Sequence, residues 1–527
     1  MRPDYDAIII GGDANGLVTA AMLAKAGQRV ALFEARPTLG GIAATEELIP
    51  GFHFNVGEPD AGLFSDEILR ALKLEDHGLD WIESPAAAFA PQADARALTL
   101  WRDPERNAAE IGAFSKRDAA AFPTFAAQNE RFAAILSAIA HSIPPALKDN
   151  STADLLQWAG IALKTRRLGK RDMMEFLRVL PLSAYHYLNQ HFESEAIKGL
   201  FAALSVTQLM QGPRAAGTAF MLLYQQLGGQ SAGYRSMRTV RGGNGALIQA
   251  QEAAARSQGV EIHTQQSVQS ISVNNYRATG ITLSSGETIA AKVVLSAADP
   301  RSTFLNLVGA PNLEPRVVRR LQNIKYRGST ASVHLALSAL PEFHGAQGQA
   351  ERLTGDIVIC PSLDYAERAY DDAKYGRISQ GLILIARIPS LLDPSLAPEG
   401  KHAMSITVRY APFHLRDADW QSQRNKLADL VVETLAQYAT RNTLSVQDAR
   451  VITPLDYERD YGLPEGSFSH GQMGLDQLLL MRPIPGFNGY RSPLDGLYLC
   501  GPGAHPGGGL TGLPGFNAAR QALKEVR

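Results

Sequence analysis

The sequence has only two cysteines, Cys360 and Cys500, among its 527 residues. So few thiols exclude a disulfide framework, a Cys-x-x-Cys redox pair and a cysteine-rich metal site. Thiol–disulfide chemistry is therefore not open to this chain.

The sequence also lacks an excess of positive charge and long hydrophobic runs. Lys and Arg number 51 against 52 Asp and Glu, so the net charge is −1 and there is no basic footprint for nucleic acid. No apolar run is long enough to span a membrane, and the first residues contain no signal-peptide core. We therefore expect a cytoplasmic protein that binds no nucleic acid. Two apolar segments, 200–210 and 218–227, leave peripheral membrane contact open, with core helices as the alternative.

The N-terminal residues show the pattern of a βαβ unit. Residues 5–10 (YDAIII) predict a buried strand, 17–26 a helix that ends at Gly27, and 30–34 (VALFE) a second strand. The loop at 11–16 (GGDANG) is close to the GxGxxG fingerprint of dinucleotide-binding proteins. Its first glycine allows the tight turn and its last glycine allows the helix to pack closely on the strand. Glu34 ends the second strand, where a carboxylate accepts hydrogen bonds from ribose hydroxyls.

Asp13 stands where this fingerprint requires its middle glycine. The Cβ atom takes up space beside the phosphates, and the carboxylate repels them. At ~4 Å and an effective dielectric constant of ~20, this repulsion amounts to ~4 kcal/mol at most. Either Gly12 lets the loop take another path, or Asp13 turns away from the phosphates, or cofactor affinity is lost.

The C-terminal region contains a second strand–loop–helix unit. A short apolar run at 496–500 predicts a strand, the stretch 501–519 (GPGAHPGGGLTGLPGFNAA) is rich in glycine, and 514–526 predicts a helix. Such a unit directs backbone N–H groups and the positive end of a helix dipole toward one point. Two units of this kind at opposite ends of the chain predict that the termini meet around one cofactor.

The length of the chain exceeds what a single core supports, which predicts two or more domains. Residues 104–228 are mostly helical in pattern, and later segments alternate helices with extended runs. The predicted fold class is α/β, with an inserted α+β substrate domain. The predicted nucleotide-binding domain is discontinuous and takes residues 1–75, 230–300 and 455–527, whereas the substrate domain takes residues 76–229 and 301–454.

Motifs spread along nearly the whole chain are specific when taken together. They are Gly40-Gly41 with Thr45, and residues 185–194, 240–247, 296–301, 360–365, 470–473, 481–485 and 499–509. A chain with these motifs resembles the phytoene-desaturase-like flavoproteins, a branch of the amine-oxidase-type FAD superfamily. The resemblance implies a Rossmann-like FAD-binding domain, noncovalently bound FAD, and removal or addition of hydrogen at carbon–carbon or carbon–nitrogen bonds.

The resemblance also implies which residues bind FAD. Those expected at the ADP half are Gly11, Gly16, Glu34, Gly40, Gly41 and Val268. Those expected along the ribityl chain and the pyrimidine edge of the flavin are Gly501, Thr511, Gly512 and Leu513. The chain departs from the family pattern at Asp13 and at Gln472, where a close relative would usually carry Asp.

Two residues are candidates for catalysis. His505 lies inside the glycine-rich loop and has a side chain that exchanges a proton near neutral pH. The alternative is a loop histidine that bonds to a backbone carbonyl. Arg241 precedes Gly-Gly-Asn-Gly and is expected either to neutralise phosphate or substrate or to form a structural ion pair.

Two further groups of polar side chains predict structural roles. Asp476 and Arg482 are expected to form a buried ion pair. A cluster of aromatic and imidazole side chains is expected to line the core or a substrate pocket: Tyr185, His186, Tyr187 and His191. It lacks the carboxylates of a metal site, so no metal is predicted.

The leading hypothesis is an FAD-dependent oxidoreductase of dehydrogenase or desaturase type, acting on an apolar or amphipathic small molecule. The alternatives are a non-redox isomerase or chaperone-like binding protein with flavin affinity weakened by Asp13, and an amine oxidase. The substrate, the electron acceptor and the oligomeric state stay open.

Overall fold

The structure is a computed structural model that describes residues 3–144, 152–229 and 232–526. Its strands within these ranges are β1 (Tyr5–Ile10), β2 (Val30–Phe33), β3 (Thr45–Ile49), β4 (Phe52–Asn55), β5 (Trp81–Ile82), β6 (Ala86–Pro91), β7 (Ala97–Trp101), β8 (Thr239–Val240), β9 (Glu261–His263), β10 (Val268–Asn274), β11 (Arg277–Leu283), β12 (Thr288–Ser296), β13 (Thr330–Leu337), β14 (Asp356–Ile359), β15 (Ile383–Arg387), β16 (His402–Arg409), β17 (Val446–Ile452) and β18 (Leu497–Leu499). Its α-helices are α1 (Ala14–Lys25), α2 (Asp66–Leu72), α3 (Pro104–Gly112), α4 (Lys116–Ala140), α5 (Thr152–Arg167), α6 (Gly169–Val179), α7 (Ala184–His191), α8 (Glu195–Ser205), α9 (Thr218–Tyr224), α10 (Asn244–Ser257), α11 (Pro315–Gln322), α12 (Leu363–Lys374), α13 (Trp420–Ala436), α14 (Pro454–Tyr461) and α15 (Leu513–Val526).

The first large sheet has a parallel centre. The strands β18, β12, β1, β2 and β9 lie side by side in that order, and each pair is parallel. All four residues of β2 are buried, as expected for a parallel strand covered on both faces. The chain leaves β1 toward β2 on one side and returns to β12 on the other. The carboxyl ends of these strands therefore flank a crevice at the switch point of the sheet, which confirms the predicted α/β fold.

The second large sheet is mainly antiparallel. Its strand order is β17-β13-β16-β15-β14-β6-β7, and only the β14–β6 pair is parallel. The strands of the first sheet fall in the segments expected for the nucleotide-binding domain, and those of the second fall in the segments expected for the substrate domain. The domain boundaries themselves stay a prediction.

Helix α1 begins one turn earlier than its hydrophobic pattern predicts. The prediction started at Leu17, whereas the helix starts at Ala14 because Asp13 caps it. Asp13 is extended, and its Oδ1 accepts a hydrogen bond of 2.8 Å from the backbone N–H of Gly16. Such a cap satisfies one of the free N–H groups at a helix start.

The first and last helices of the chain pack against each other through small residues. A Cβ atom on Gly515 of α15 would lie 2.1 Å from the carbonyl oxygen of Asn15 in α1. The hydroxyl of Thr19 in turn donates to the carbonyl of Gly515 at 3.2 Å. The two glycine-rich units thus meet, as the sequence predicts.

The two apolar segments considered for membrane contact are core elements. Leu200 and Phe201 of α8 have no exposed surface, and Met221 of α9 is also buried. The alternative of core helices is therefore the one observed. Within the described ranges, we find no helix that combines the length and hydrophobicity needed to cross a bilayer.

Replacement of Gly16 by Ala is expected to destabilise the protein even without a cofactor. The added Cβ would lie 2.0 Å from the carbonyl oxygen of Gly11, a contact with backbone that no side-chain rotation can relieve. We expect a loss of at least about 3 kcal/mol in the free energy of unfolding of the apoprotein. The matched control is Gly112→Ala, whose nearest neighbour is the Cβ of Ala119 at 3.8 Å. Equal thermal midpoints for the two variants would contradict this packing role.

Candidate functional site

A cleft of about 270 Å³ opens at the carboxyl ends of the central parallel strands. It is lined by residues that follow β1, β2 and β12, and by Val268 at the start of β10. Of the predicted cofactor-binding residues, the cleft brings together Gly11, Glu34, Gly40, Gly41 and Val268.

The glycines of this cleft have backbone conformations that other residues avoid. The φ angles are +99° at Gly11, +103° at Gly40 and +54° at Gly41. A Cβ atom on Gly40 would also lie 2.8 Å from Ile248. The backbone of both loops can therefore form a wall of the cleft without side chains in between.

Glu34 is held rigidly at the edge of this cleft. Its carboxylate accepts hydrogen bonds from the backbone N–H groups of Gly12 at 2.7 Å and Arg36 at 2.8 Å. Each carboxylate oxygen can accept further bonds, so the ribose-binding role predicted for Glu34 is compatible with this geometry.

Arg36 is a cleft residue that the sequence patterns did not single out. Its guanidinium stacks on the ring of Tyr461 at 4.4 Å, and Nη2 bonds to Glu46 at 2.8 Å. Nη1 is buried and has no hydrogen-bond partner among the described residues. Arg36 therefore retains a donor for an anion. In the sequence, the feature that could have indicated this anion-binding role is a basic residue two positions after Glu34.

Asp13 lines the cleft, and each of its carboxylate oxygens accepts a hydrogen bond from its own loop. Besides the bond from Gly16, its Oδ2 accepts a bond of 3.3 Å from the side chain of Asn15. Burial, reinforced by the charge of Glu34, raises the pKa of Asp13 to about 6. Asp13 thus occupies a helix N-terminus that otherwise attracts phosphate, and it does so as a group that is easily protonated.

The glycine-rich loop after β18 is held in place by the buried guanidinium of Arg482. Arg482 donates to the carbonyls of Pro502 at 2.7 Å, Gln477 at 3.1 Å and Gly471 at 3.2 Å, and also to that of Ser469. Burial lowers the pKa of Arg482 to about 10. The loop and the segment after α14 are therefore held together around one buried positive charge.

The remaining predicted cofactor residues do not line the cleft. A Cβ on Gly501 would lie 2.1 Å from the carbonyl oxygen of Ala297, which makes Gly501 a packing residue, as Gly16 is. Thr511, Gly512 and Leu513 lie at the start of α15, where Gly512 packs on Phe64 and Ile68. Their contacts with a cofactor stay a prediction.

A smaller cavity of about 60 Å³ adjoins the cleft at the glycine-rich loop. The two spaces share the residues Glu58, Phe468, Gly509 and Leu510. We call this second space the ring-end cavity. Its walls combine apolar side chains such as Leu204 and Met221 with charged groups.

Four buried charges form a closed network beneath the ring-end cavity. Arg235 bonds to both oxygens of Asp356, at 2.6 Å and 2.8 Å, and to Asp60 at 2.6 Å. Arg387 bonds to Asp60 at 2.7 Å and lies 3.4 Å from Asp356. Burial alone would raise the pKa of Asp60, but the two arginines hold it below its usual value.

Neither predicted catalytic residue lies in the cleft or the ring-end cavity. His505 is buried, and its Nε2 is 3.0 Å from the carbonyl oxygen of Ile139. Burial lowers its pKa to about 4, so it is neutral near pH 7. Arg241 is exposed and pairs with Asp80 at 2.7 Å. Both residues show the structural arrangement that was the alternative to a catalytic role.

The predicted ion pair between Asp476 and Arg482 is wrong. Asp476 is exposed and pairs with Lys325 at 2.6 Å, while Arg482 is satisfied by backbone carbonyls. The two residues are close in sequence, but Arg482 is buried whereas Asp476 is exposed. Gln472 is buried, and its Oε1 accepts a bond of 3.3 Å from the backbone of Met210.

Within the cluster on α7, Tyr187 lies in the core, Tyr185 and His191 are half-buried, and His186 is exposed. Tyr187 is fully buried and donates to Asn129, while His191 packs edge-on against Phe125. His186 lies 2.7 Å from the hydroxyl of Ser183. In the part of the chain that the structure describes, no group of three or more metal-ligating side chains comes together.

A parallel sheet with a glycine-walled cleft and a rigid acidic residue at its strand ends defines a dinucleotide-binding protein. The model of the family described as "Flavin containing amine oxidoreductase" matches residues 15–515. The chain belongs to this family, and it is an FAD-dependent oxidoreductase. The predicted resemblance and the predicted cofactor are thereby confirmed.

Individual relatives match the whole length of the chain. Pyridine nucleotide-disulfide oxidoreductase domain-containing protein 2 of Mus musculus is 35% identical over 549 residues, covering 100% of this chain and 94% of its own. A limonene dehydrogenase component of Castellaniella defragrans is 24% identical and covers 99% of this chain and 95% of its own. The crystal structure of an oxidoreductase from Methanosarcina mazei has a TM-score of 0.61 at 16% identity, covering 98% of this chain and all of its own, and so shows the same fold.

The affinity for FAD is expected to rise as the pH falls. A phosphate near Asp13 disfavours its ionised form, so binding takes up a proton when Asp13 is ionised beforehand. The affinity should increase by about tenfold between about pH 8 and pH 6 and level off below the pKa of about 6. Fluorescence titration of the apoprotein with FAD measures this dependence.

The control is Asp13→Asn, which keeps an oxygen acceptor for the cap but carries no charge. This variant should bind FAD more tightly at pH 8 and should have a flatter pH profile. Glu58, with a pKa raised by burial to about 7, titrates in the same cleft and is present in both proteins. An unchanged pH profile in Asp13→Asn would assign the dependence to another group.

Proposed function

We propose that the ADP half of FAD lies in the cleft and that the flavin ring reaches the wall shared with the ring-end cavity. The positive-φ glycines at 11, 40 and 41 form the backbone surface for the phosphates, and Glu34 accepts the ribose hydroxyls. Arg36 supplies positive charge to the cleft that Asp13 also lines, and its Nη1 has no hydrogen-bond partner among the described residues. The single observation that carries this proposal is that cleft and ring-end cavity share the wall formed at Gly509 and Leu510.

The chain itself supplies positioning and electrostatics for the reaction. FAD held by these residues would supply the redox chemistry, which is the removal of two electrons and a proton from the substrate. Arg482 places a buried positive charge against the glycine-rich loop, which stabilises negative charge that develops there. Glu58 lies in the shared wall with a pKa near neutrality, so it is the group placed to hold or accept a proton.

We propose a dehydrogenase or desaturase acting on an amphipathic small molecule. The mixture of Leu204, Met221 and Met473 with polar groups in the ring-end cavity supports an amphipathic rather than a wholly apolar substrate. The name of the Castellaniella defragrans relative, which describes part of a limonene dehydrogenase, supports the reaction type. Release of hydrogen peroxide on a panel of amines, with none on unsaturated substrates, would instead favour the amine oxidase alternative.

Glu34→Ala is expected to lower the retention of FAD by about ten- to a hundredfold. The change removes the acceptor for ribose and also frees the N–H groups of Gly12 and Arg36. The measurement is the flavin absorbance of purified protein after reconstitution with excess FAD and desalting. The control is Glu252→Ala, which changes an acidic residue on α10 that pairs with Arg256 of the same helix. Equal flavin content in both variants would contradict the assigned cleft.

Peripheral contact with an anionic membrane is a second part of the proposal. Five large apolar side chains on α5 and α6 are about half or more exposed: Leu155, Leu156, Leu163, Met174 and Leu177. Basic residues accompany them on the same helices: Lys164, Arg166, Arg167, Lys170 and Arg171. A face that combines exposed apolar and basic side chains suits the interface of an anionic bilayer.

A path from this face toward the site also supports the membrane proposal. A cleft of about 760 Å³ beneath α5 is lined by Leu156 and Ile161 and extends to Leu63. Leu63 also lines the ring-end cavity. An amphipathic substrate taken from a membrane would enter along this side.

The double variant Leu156→Ser with Leu163→Ser is expected to bind anionic vesicles at least about fivefold more weakly than the unchanged protein. The assay is cosedimentation with phosphatidylserine-containing vesicles, compared with phosphatidylcholine alone. Tyr276→Ser removes an equally exposed apolar side chain from the β10–β11 turn and should have no effect. Absence of binding by the unchanged protein, or equal binding by both variants, would refute membrane contact through this face.

A further inference from the structure

The charged groups around the ring-end cavity do not all pair with one another. The closed network of Asp60, Asp356, Arg235 and Arg387 balances two negative with two positive charges. Glu58 and Arg409 line the same cavity but stand outside this network. They are therefore the charged groups there that are free to meet a ligand.

Arg409 ends strand β16 with its guanidinium at the cavity wall. Its Nη2 donates to the hydroxyl of Thr207 at 3.2 Å, and its Nε is buried without a hydrogen-bond partner among the described residues. Burial lowers the pKa of Arg409 to about 10, so the side chain is still charged at pH 7. A buried arginine with an unused donor is costly unless an acceptor occupies the space next to it.

Glu58 is the second charged residue of this wall, and the charge of Arg409 acts on its carboxylate. It lines both the cleft and the ring-end cavity, so it lies on the side of the proposed flavin. Among the described residues, its carboxylate accepts one side-chain hydrogen bond, from Gln208, which is long at 3.5 Å. The other walls of the cavity include apolar side chains, among them Leu204 and Met221. The cavity thus has an anion-binding part, an apolar part and a part next to the cofactor.

We propose that the substrate carries a carboxylate and that Arg409 is its receptor in the ring-end cavity. This inference rests on the proposed function, because it identifies the substrate class of the same site. A guanidinium binds a planar carboxylate through two parallel N–H donors, and the unpaired Nε of Arg409 supplies one of them. The apolar part of the substrate then extends past Leu204 and Met221 toward the shared wall. The carbon to be oxidised lies at that wall, next to Glu58.

The test is calorimetric titration of FAD-reconstituted protein at about pH 7 with butyrate and with butyramide. The two probes have the same length and shape and differ in charge. We expect butyrate to bind at least about tenfold more tightly than butyramide, the range given by a charge-assisted hydrogen bond. Arg409→Gln should abolish this preference by weakening butyrate alone. Arg450→Gln, which changes an exposed arginine on strand β17 of the same sheet, should keep it.

Two results would overturn the inference. One is equal affinity of the unchanged protein for both probes, and the other is a preference for butyrate that survives in Arg409→Gln. If Arg409→Gln does not fold, Arg409→Lys decides, because lysine keeps the charge but lacks the planar fork. It should weaken butyrate by about threefold or more and leave butyramide unchanged. Unchanged butyrate affinity in that variant would contradict the role of Arg409.

The flavin absorbance of each sample separates this inference from the proposed function. A preference for butyrate that depends on Arg409 in protein that never takes up FAD would support the carboxylate receptor and contradict flavin chemistry. Full flavin content without any preference for butyrate would overturn the carboxylate receptor alone. Thr207→Val gives an independent check, because it removes the hydroxyl that orients Arg409 and should also weaken butyrate.

Discussion

The two halves of the molecule are joined by the buried network of Arg235, Arg387, Asp60 and Asp356. Asp60 belongs to the segment after the β3–β4 hairpin, whereas Asp356 and Arg387 lie on β14 and β15 of the second sheet. All four side chains are less than a tenth exposed. Loss of one partner from such a network costs about 3–5 kcal/mol, because the remaining charge stays buried without compensation. The network therefore fixes the second sheet against the loop that carries Glu58, and with it the shape of the ring-end cavity.

A second constraint acts at the other end of the site. The N-terminus of α1 is the natural place for phosphate in this fold, but Asp13 already caps it. The carboxylate of Asp13 stabilises the helix in the apoprotein but repels the phosphates of the cofactor, which have to bind close to this negative charge. The raised pKa of Asp13 reduces this conflict, since the carboxyl group can be neutral. The non-redox alternative was based on Asp13 as a residue that weakens flavin binding. Because Asp13 caps α1, it also has a structural role that does not depend on that alternative.

Much of the fold could be predicted from local patterns. The strands β1, β2 and β18 are short apolar runs beside glycine loops, and their parallel pairing follows from the βαβ unit. Glu34 and the glycines at 11, 40 and 41 could be identified because local sequence places each of them in a turn or at the end of a strand. They lie in one cleft because parallel strands end at the same edge of the sheet.

The rest of the site depends on partners far apart in the chain. Arg235 is 175 residues from Asp60 and 121 residues from Asp356, so no local spacing indicates their network. The same holds for Arg409, which no motif singled out. Its place in the cavity wall and its unpaired donor arise only from the folded structure. Conversely, the ion pair predicted between Asp476 and Arg482 does not form, although the two residues are close in sequence. Arg482 is buried and donates to backbone carbonyls, whereas Asp476 is exposed and pairs with Lys325. His505 was a catalytic candidate because it lies in the glycine-rich loop, but in the folded protein its ring contacts the carbonyl oxygen of Ile139.

The most direct test of this account is an experimental structure of the protein reconstituted with FAD. The account predicts the adenosine and phosphates between Gly11, Glu34 and Val268. It predicts the flavin ring at the wall shared by the cleft and the ring-end cavity, beside Glu58, with Arg409 on the far side of that wall. A flavin ring that points away from this wall, or a cleft closed by the side chain of Asp13 with FAD bound elsewhere, would contradict it.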